Sequence, residues 1–226
     1  MEGGYMNERS RPFRLRVYGD NACFTRPEMK VERVSYEVMT PSAARGILEA
    51  ILWKPAIRWR ILQIDVMKPI RWESIRRNEV GSIISAQTAQ TAMKRGRGSL
   101  GIYIEDARQQ RAGLLLRDVE YVIHAYFEMT EKAGAEDSVT KFEQMFIRRA
   151  QNGQCYHRPY FGCREFPVHF EFIPQNAPPV QPTDLSKELG WMLYDIDYSG
   201  EEPMPQFFHA RLKRGSLDLR EVEVRS

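Results

Sequence analysis

Phe13, Leu15 and Val17 alternate with Arg14, Arg16 and Tyr18, the period of two that sets one side of a strand in a core and the other in water. The spacing predicts a first strand over 13–19. Thr40 followed by Pro41 reads as a helix cap and a first-turn proline. Ala44, Ile47, Leu48, Ile51 and Leu52 then recur on one helical face as far as Trp53, before the Lys54-Pro55 break. Over 61–68, Leu62, Ile64 and Val66 alternate with Gln63, Asp65 and Met67, which predicts a second half-wet strand. Between Glu73 and Leu116 no apolar period outlasts short runs such as Ser99 to Glu105, so a long excursion is expected. Periodicity returns over 117–129, where Ile123, Ala125, Phe127 and Met129 alternate with Val122, His124, Tyr126 and Glu128 and predict a third strand. Val139, Phe142, Met145, Phe146 and Arg149 predict a second amphipathic helix closed by Asn152-Gly153, and Val168, Phe170 and Phe172 another strand. Beyond the proline-rich stretch 174–182, read as a linker, short strands are expected over 189–194, 207–212 and 217–224.

Half-wet strands with two helices to cover their apolar side describe an α+β fold, a ferredoxin-like antiparallel sheet with helices on one face. The division expected is a ferredoxin-like domain over 1–174, with a long basic insertion around 73–116, and a small mostly β C-terminal region over 183–226. If the first and third strands are neighbours, the uncovered face presents Arg14, Arg16, Tyr18, His124 and Tyr126. Basic and aromatic residues on such a face suit single-stranded RNA.

Composition narrows the setting. A chain that is 42% hydrophobic and 28% charged is expected to be a soluble globule rather than a disordered chain. No apolar run reaches the roughly 18 residues of a membrane span, and the opening MEGGYMNERSRPF lacks an export signal's apolar stretch. Cys23, Cys155 and Cys163 form an odd set without CxxC spacing, so a reducing cytoplasm is the expected home and no disulfide framework is signalled. The four histidines lack HxH or HxxxH spacing, so no metal or cofactor site is read. Charge matters locally. Lys54 to Arg77 holds seven bases (Lys54, Arg58, Arg60, Lys68, Arg71, Arg76, Arg77) against two acids, interleaved with Trp53, Trp59 and Trp72, as a phosphate backbone with stacked bases would require. Lys94, Arg95 and Arg97 lie among glycines that let a backbone approach phosphates. Acids dominate 128–143, so the chain is electrostatically two-sided.

The segments VYGDNACFT, PSAARGILEAILWKP, VMKPI and RDVEYVIHAYFEM, in this order and at close spacing, resemble the Dvulg-subtype CRISPR-associated RAMP proteins, the Cas-five-d endoribonucleases of the type I-C system. The resemblance implies a ferredoxin-like domain with a basic groove and cleavage of a repeat hairpin in precursor crRNA. That reaction needs no metal: the ribose 2′-OH attacks the adjacent phosphate and leaves a 2′,3′-cyclic phosphate. The partners implied are the repeat hairpin, the mature crRNA 5′ handle and the other subunits of the surveillance complex, with double-stranded DNA as a further polyanion and no membrane.

Such a cleavage calls for a base, an acid and a cation. His124 and Tyr126, two residues apart on a strand and so roughly 7 Å apart on one face, fit the first two roles; Lys54 fits the third. A hydrogen-bonded sheet histidine beside a stacking tyrosine is the competing reading. Members of the family commonly carry a tyrosine just before WKP and a lysine or histidine in the strand matching YVIHAYFEM. Here Leu52 stands at the tyrosine position, so the usual trio does not transfer, and a non-catalytic subunit that binds the crRNA handle is the alternative. The segment CYHRPYFGCREF gives a second cluster, His157, Arg158 and Arg164 with Tyr156 and Tyr160, expected to contact RNA. The RNA-contacting set expected is thus Arg14, Arg16, Arg58, Arg60, Lys68, Arg76, Arg77, Lys94, Arg95, Arg97, His157, Arg158 and Arg164.

Overall fold

The structure, a computed structural model, describes residues 8–98 and 100–226. The first seven residues of the opening read above, and Ser99 at the head of its short apolar run, lie outside the described residues. The elements are β1 (Phe13–Ala22), α1 (Pro41–Ile51), β2 (Ile57–Val66), β3 (Trp72–Val80), α2 (Ala86–Arg95), α3 (Ile104–Ala107), β4 (Arg108–Met129), α4 (Val139–Gln151), β5 (His169–Ile173), β6 (Lys187–Asp197), β7 (Met204–Lys213), β8 (Ser216–Asp218) and β9 (Val224–Arg225).

Four strands stand in the order β5-β1-β4-β2, every neighbouring pair antiparallel. With α1 after β1 and α4 after β4, this is the ferredoxin-like order the periodicities predict. Leu15 pairs with Ile123 and Ile64 with Ile123 from the other side, so the apolar positions of three strands coincide on one face. Thr40 Oγ1 accepts from the Ala43 N–H at 3.3 Å and Ser138 Oγ from the Lys141 N–H at 3.3 Å, which caps both helices. Ile47, Leu48 and Ile51 of α1, and Phe142, Phe146 and Ala150 of α4, are buried at helical spacing. Phe146 packs 5.0 Å from Phe13 and 4.8 Å from Trp59, ring centre to ring centre. Removing any of these rings would cost about 3–5 kcal/mol.

The second strand departs from the expected pattern. It starts at Ile57, and Ile57, Trp59 and Ile61 occupy its core face; Leu62 is the extra residue of a bulge between Ile61 and Gln63. Asp65, read from the pattern as wet, is 2% exposed. The excursion over 73–116 is not irregular: β3 pairs with the first half of β4 from Trp72↔Leu116 to Val80↔Arg108, forming a two-stranded arm that carries α2 and α3. Neither face of β3 is buried and α2 buries nothing, so no apolar period exists there to be read.

The C-terminal strands continue the same sheet, because β8 pairs with β2 across Gln63 to Asp65 and the order runs on as β2-β8-β7-β6. The curl brings β6 back onto α1: Arg45 grips Asp195 through two hydrogen bonds of 3.0 and 2.7 Å, and Tyr36 Oη accepts from the Leu193 N–H at 3.2 Å. Among the described residues no helix is long and apolar enough to cross a membrane.

Candidate functional site

On the face away from the helices, the register sets Arg14 opposite His124, Arg16 opposite Val122 and Arg60 opposite Tyr126. The expected neighbours therefore meet, yet the face is not an open basic platform. Arg14 donates to the carbonyls of Pro174 at 2.7 Å, Ala177 at 3.0 Å and Pro178 at 3.3 Å, and Thr183 N–H donates to Val66 O at 2.9 Å. The proline-rich segment is thus not a loose linker. It is laid from β5 across this face to the end of β2, and Val122 beneath is 1% exposed. Arg16 pairs with Glu120 and Glu171, Arg60 with Glu128, Lys68 with Asp118, and Arg77 with Glu165. These charges have partners within the fold that pattern reading could not see.

His124 likewise has structural company. Its Nε2 lies 2.7 Å from Asp65 Oδ2, while Asp65 Oδ1 accepts from Ser216 Oγ at 2.6 Å and Gln63 Nε2 at 2.7 Å. Burial pushes the Asp65 carboxyl up, but the hydrogen bonds from His124, Ser216 and Gln63 outweigh it and hold the group below the usual carboxylate value. Asp65 is the carboxylate hub joining β2, β4 and β8. Tyr126 donates to Glu128 Oε1 at 3.1 Å, and burial together with that carboxylate raises its phenol, which keeps it protonated. Lys54 stands toward the other end of β2 from His124. It precedes Ile57, whereas Gln63 is the residue paired with His124; six strand positions separate these by roughly 20 Å. Lys54 lines a cleft with Arg60 and with Glu128, the carboxylate that holds Tyr126, while His124 faces Asp65 farther along the strand.

What converges on Lys54 is the other cluster. The C-terminal end of α1 exposes carbonyls that a helix cannot satisfy itself, and each finds a donor: Ala50 O from the Tyr156 N–H at 2.8 Å, Ile51 O from Arg149 at 2.8 Å, and Leu52 O from the Trp59 indole at 2.9 Å. The first two bonds dock the 154–160 loop and the end of α4 beside Lys54. Phe161, fully buried and edge-on to Phe24 and Tyr121, anchors the loop's other end. Between them lies a cleft of about 900 Å³ lined by Lys54, Trp53, Arg149, Tyr156, His157 and Tyr160 among others.

The cleft holds the residue types a 2′-OH attack needs. His157 is exposed, stacked on Tyr160 at 6.3 Å, and its Nδ1 lies 3.2 Å from the Arg158 carbonyl. A carbonyl only accepts, so the neutral ring carries its proton on Nδ1 and presents Nε2 as the base. Lys54 and Arg149 supply positive charge, Tyr156 is 91% exposed, and Trp53 at 60% exposed offers a stacking face. Leu52, by contrast, is buried in the core. Arg149 and Trp53 were not among the residues expected to act: the first reads as a helix-face charge, the second as one of three interleaved tryptophans, of which Trp59 is 3% exposed and core.

The remaining predicted bases are scattered. Arg58 is exposed in a second cleft along the start of β2. Arg158 reaches His169 at 3.2 Å, and Arg164 lines a shallow cleft with Lys30, Arg33 and Arg77. Arg76, Lys94, Arg95 and Arg97 are exposed on the arm. Among the described residues no group of three or more His, Cys, Asp or Glu stands ready to hold a metal ion.

Comparison with known proteins identifies the family. Residues 13–220 match the family model of the CRISPR-associated Cas5d proteins. A protein of Mannheimia succiniciproducens named CRISPR pre-crRNA endoribonuclease Cas5d is 54% identical over 91% of this chain and 93% of its own. One of the same name from Thermus thermophilus is 39% identical over 91% and 90%. Crystal structures of a CRISPR-associated protein and of a functionally uncharacterized Streptococcus mutans protein share the fold. Their TM-scores are 0.69 and 0.67, each at 22% identity over 97% of this chain and 99% and 100% of theirs. The match spans nearly the whole sheet, both capped helices and the docked loop, and this chain belongs to the Cas5d family of CRISPR-associated proteins.

Proposed function

We propose that the chain cuts CRISPR repeat hairpins in precursor crRNA without a metal, leaves a 2′,3′-cyclic phosphate, and stays on the crRNA 5′ handle as a subunit of the type I-C surveillance complex. The observation that carries this reading is the 54% identity, along almost both full lengths, to a protein named for that cleavage. The cleft beside α1 supplies the chemistry. His157 takes the 2′-OH proton, Lys54 and Arg149 face the phosphorane charge, and Tyr156 is placed to protonate the leaving 5′ oxygen. Arg76, Lys94, Arg95 and Arg97 on the arm, with Arg58, carry phosphate contacts outside the cleft; the same arm suits duplex DNA in the assembled complex.

Purified protein mixed with its cognate repeat hairpin in excess EDTA is expected to make one cut and leave a cyclic phosphate end. A cut that requires added magnesium overturns the metal-free reading. No cut at all favours the second reading, a crRNA-handle subunit without catalysis, which rests on Leu52 being buried and apolar where relatives of the family carry tyrosine. Binding is tested separately. Joint replacement of Lys94, Arg95 and Arg97 by alanine is expected to lower hairpin affinity and to reduce the slope of log affinity on log salt by about 2. The melting temperature should not move, since α2 and its flanks bury nothing. An unchanged slope would mean that the arm faces solvent.

A further inference from the structure

Cys23 closes β1 at the point where the chain meets the 160–166 turn. Cys23 N–H donates to Phe161 O at 3.1 Å, and Gly162, at φ +77°, lies so close that a Cβ there would sit 2.0 Å from the Cys23 carbonyl oxygen. Only glycine permits this approach, and it brings the next residue, Cys163, against the first cysteine. Cys163 Sγ is 3.7 Å from Cys23 O, and the two sulfurs share one neighbour, Thr25 Oγ1, at 4.0 and 3.4 Å. Arg33 Nη1 lies 3.6 Å from Cys163 Sγ. Cys163 borders an open cleft with Lys30, Arg77 and Arg164, against which stand Glu79 and Glu165. Cys23 is fully buried and Cys163 half-buried.

We propose that Cys163 and Cys23 are a peroxide-responsive pair, with Cys163 the attacking sulfur and Cys23 the resolving one. The Cys163 thiolate attacks a hydroperoxide oxygen, the O–O bond breaks, and an alcohol, or water from hydrogen peroxide, leaves. Cys163 is then a sulfenic acid. The Cys23 sulfur attacks it, the S–S bond forms, the S–O bond breaks, and water departs with the Cys23 thiol proton. Two thiols lose two electrons, and one hydroperoxide gains them. The Cys23 thiol, donating toward the Cys163 sulfur, lowers the Cys163 thiol below its ordinary value, opposed by burial and aided by Arg33 and Thr25, which favours the nucleophilic form.

Thr25 and Gly162 border both this cluster and the large cleft, so the disulfide would shift that cleft's wall and weaken RNA binding. That consequence rests on the function proposed above; the oxidation itself does not.

The test is mass spectrometry of the purified chain under a hydrogen peroxide titration, with Cys155 as the internal reference. The expected result is loss of two hydrogens, a Cys23–Cys163 linkage in the peptide map, and reversal by dithiothreitol. In the reduced protein, iodoacetamide should modify Cys163 at least about tenfold faster than Cys155. In Cys23→Ser, dimedone should trap a sulfenic acid at Cys163. Equal alkylation rates in the wild type, or peroxide carrying Cys163 to sulfinate with Cys23 still free, would overturn the proposal without need of any variant. An intact linkage with unchanged hairpin affinity would leave the thiol pair standing and sink only its link to the cleft.

Discussion

Cleavage of a repeat hairpin by His157→Ala is expected to run about a hundredfold or more slower than by the wild type, the reach of one general acid or base, with hairpin affinity within about threefold. The reasons are local. His157 is exposed in the cleft, one ring nitrogen is held by the Arg158 carbonyl, and the stack on Tyr160 fixes the ring plane, so orientation is set before substrate arrives. Loss of the imidazole leaves Lys54 and the aromatic faces in place, and these carry binding. His124→Ala separates the two candidate histidines. Its ring is hydrogen-bonded to Asp65 roughly 20 Å along the sheet from the Lys54 end, so its cleavage rate should stay within a few fold wherever the variant is folded. The measurement is single-turnover cleavage beside hairpin affinity for both variants. A slow His124→Ala with a normal His157→Ala would reverse the assignment and move the chemistry to the Asp65 face.

How much of this could be read from the chain follows from which residues bury something. Strands β1, β2 and β4 and both long helices each bury one face, and β5 leans Phe170 and Phe172 on the core, so Leu15, Ile64, Ile123 and Phe142 announce themselves by spacing. The arm buries neither face of β3, and its pairing stays hidden. The bulge at Leu62 is equally silent, because a single extra residue shifts the period without breaking the apolar run. Charges mislead for a different reason. Arg14 and Arg16 lie on the predicted face, but their partners, the carbonyls near Pro174 and the carboxylates of Glu120 and Glu171, come from remote segments. A surface ion pair is worth only about 0–1 kcal/mol, so sequence carries little record of it. The CYHRPYFGCREF cluster was legible as a density of bases and aromatics. That it meets Lys54 depends on Tyr156 N–H capping Ala50 O, a backbone bond no side-chain pattern reports.

Asp65→Ala is expected to destabilise the fold by about 3 kcal/mol at neutral pH, because it strips one acceptor from three donors at once. Asp65 is 2% exposed, and Gln63, His124 and Ser216 all approach its two oxygens within 2.7 Å. These donors belong to three adjacent strands, so their loss loosens the junction where β8 joins β2 as well as the sheet itself. For a chain of this length the melting temperature should fall by roughly 6–12 °C. His124→Ala should cost less, since its ring reaches partly into solvent and Asp65 keeps two of its donors. The pH dependence has a definite sign. The carboxyl is held below its ordinary value in the fold, so its contribution is complete above the unfolded value of about 3.9 and disappears as pH falls through the lower folded value. Thermal melts of wild type and Asp65→Ala should therefore be far apart at pH 7 and draw together below about pH 4. Melts that coincide at pH 7 would show that the hub contributes nothing, and His124 would then be free for a role outside the sheet.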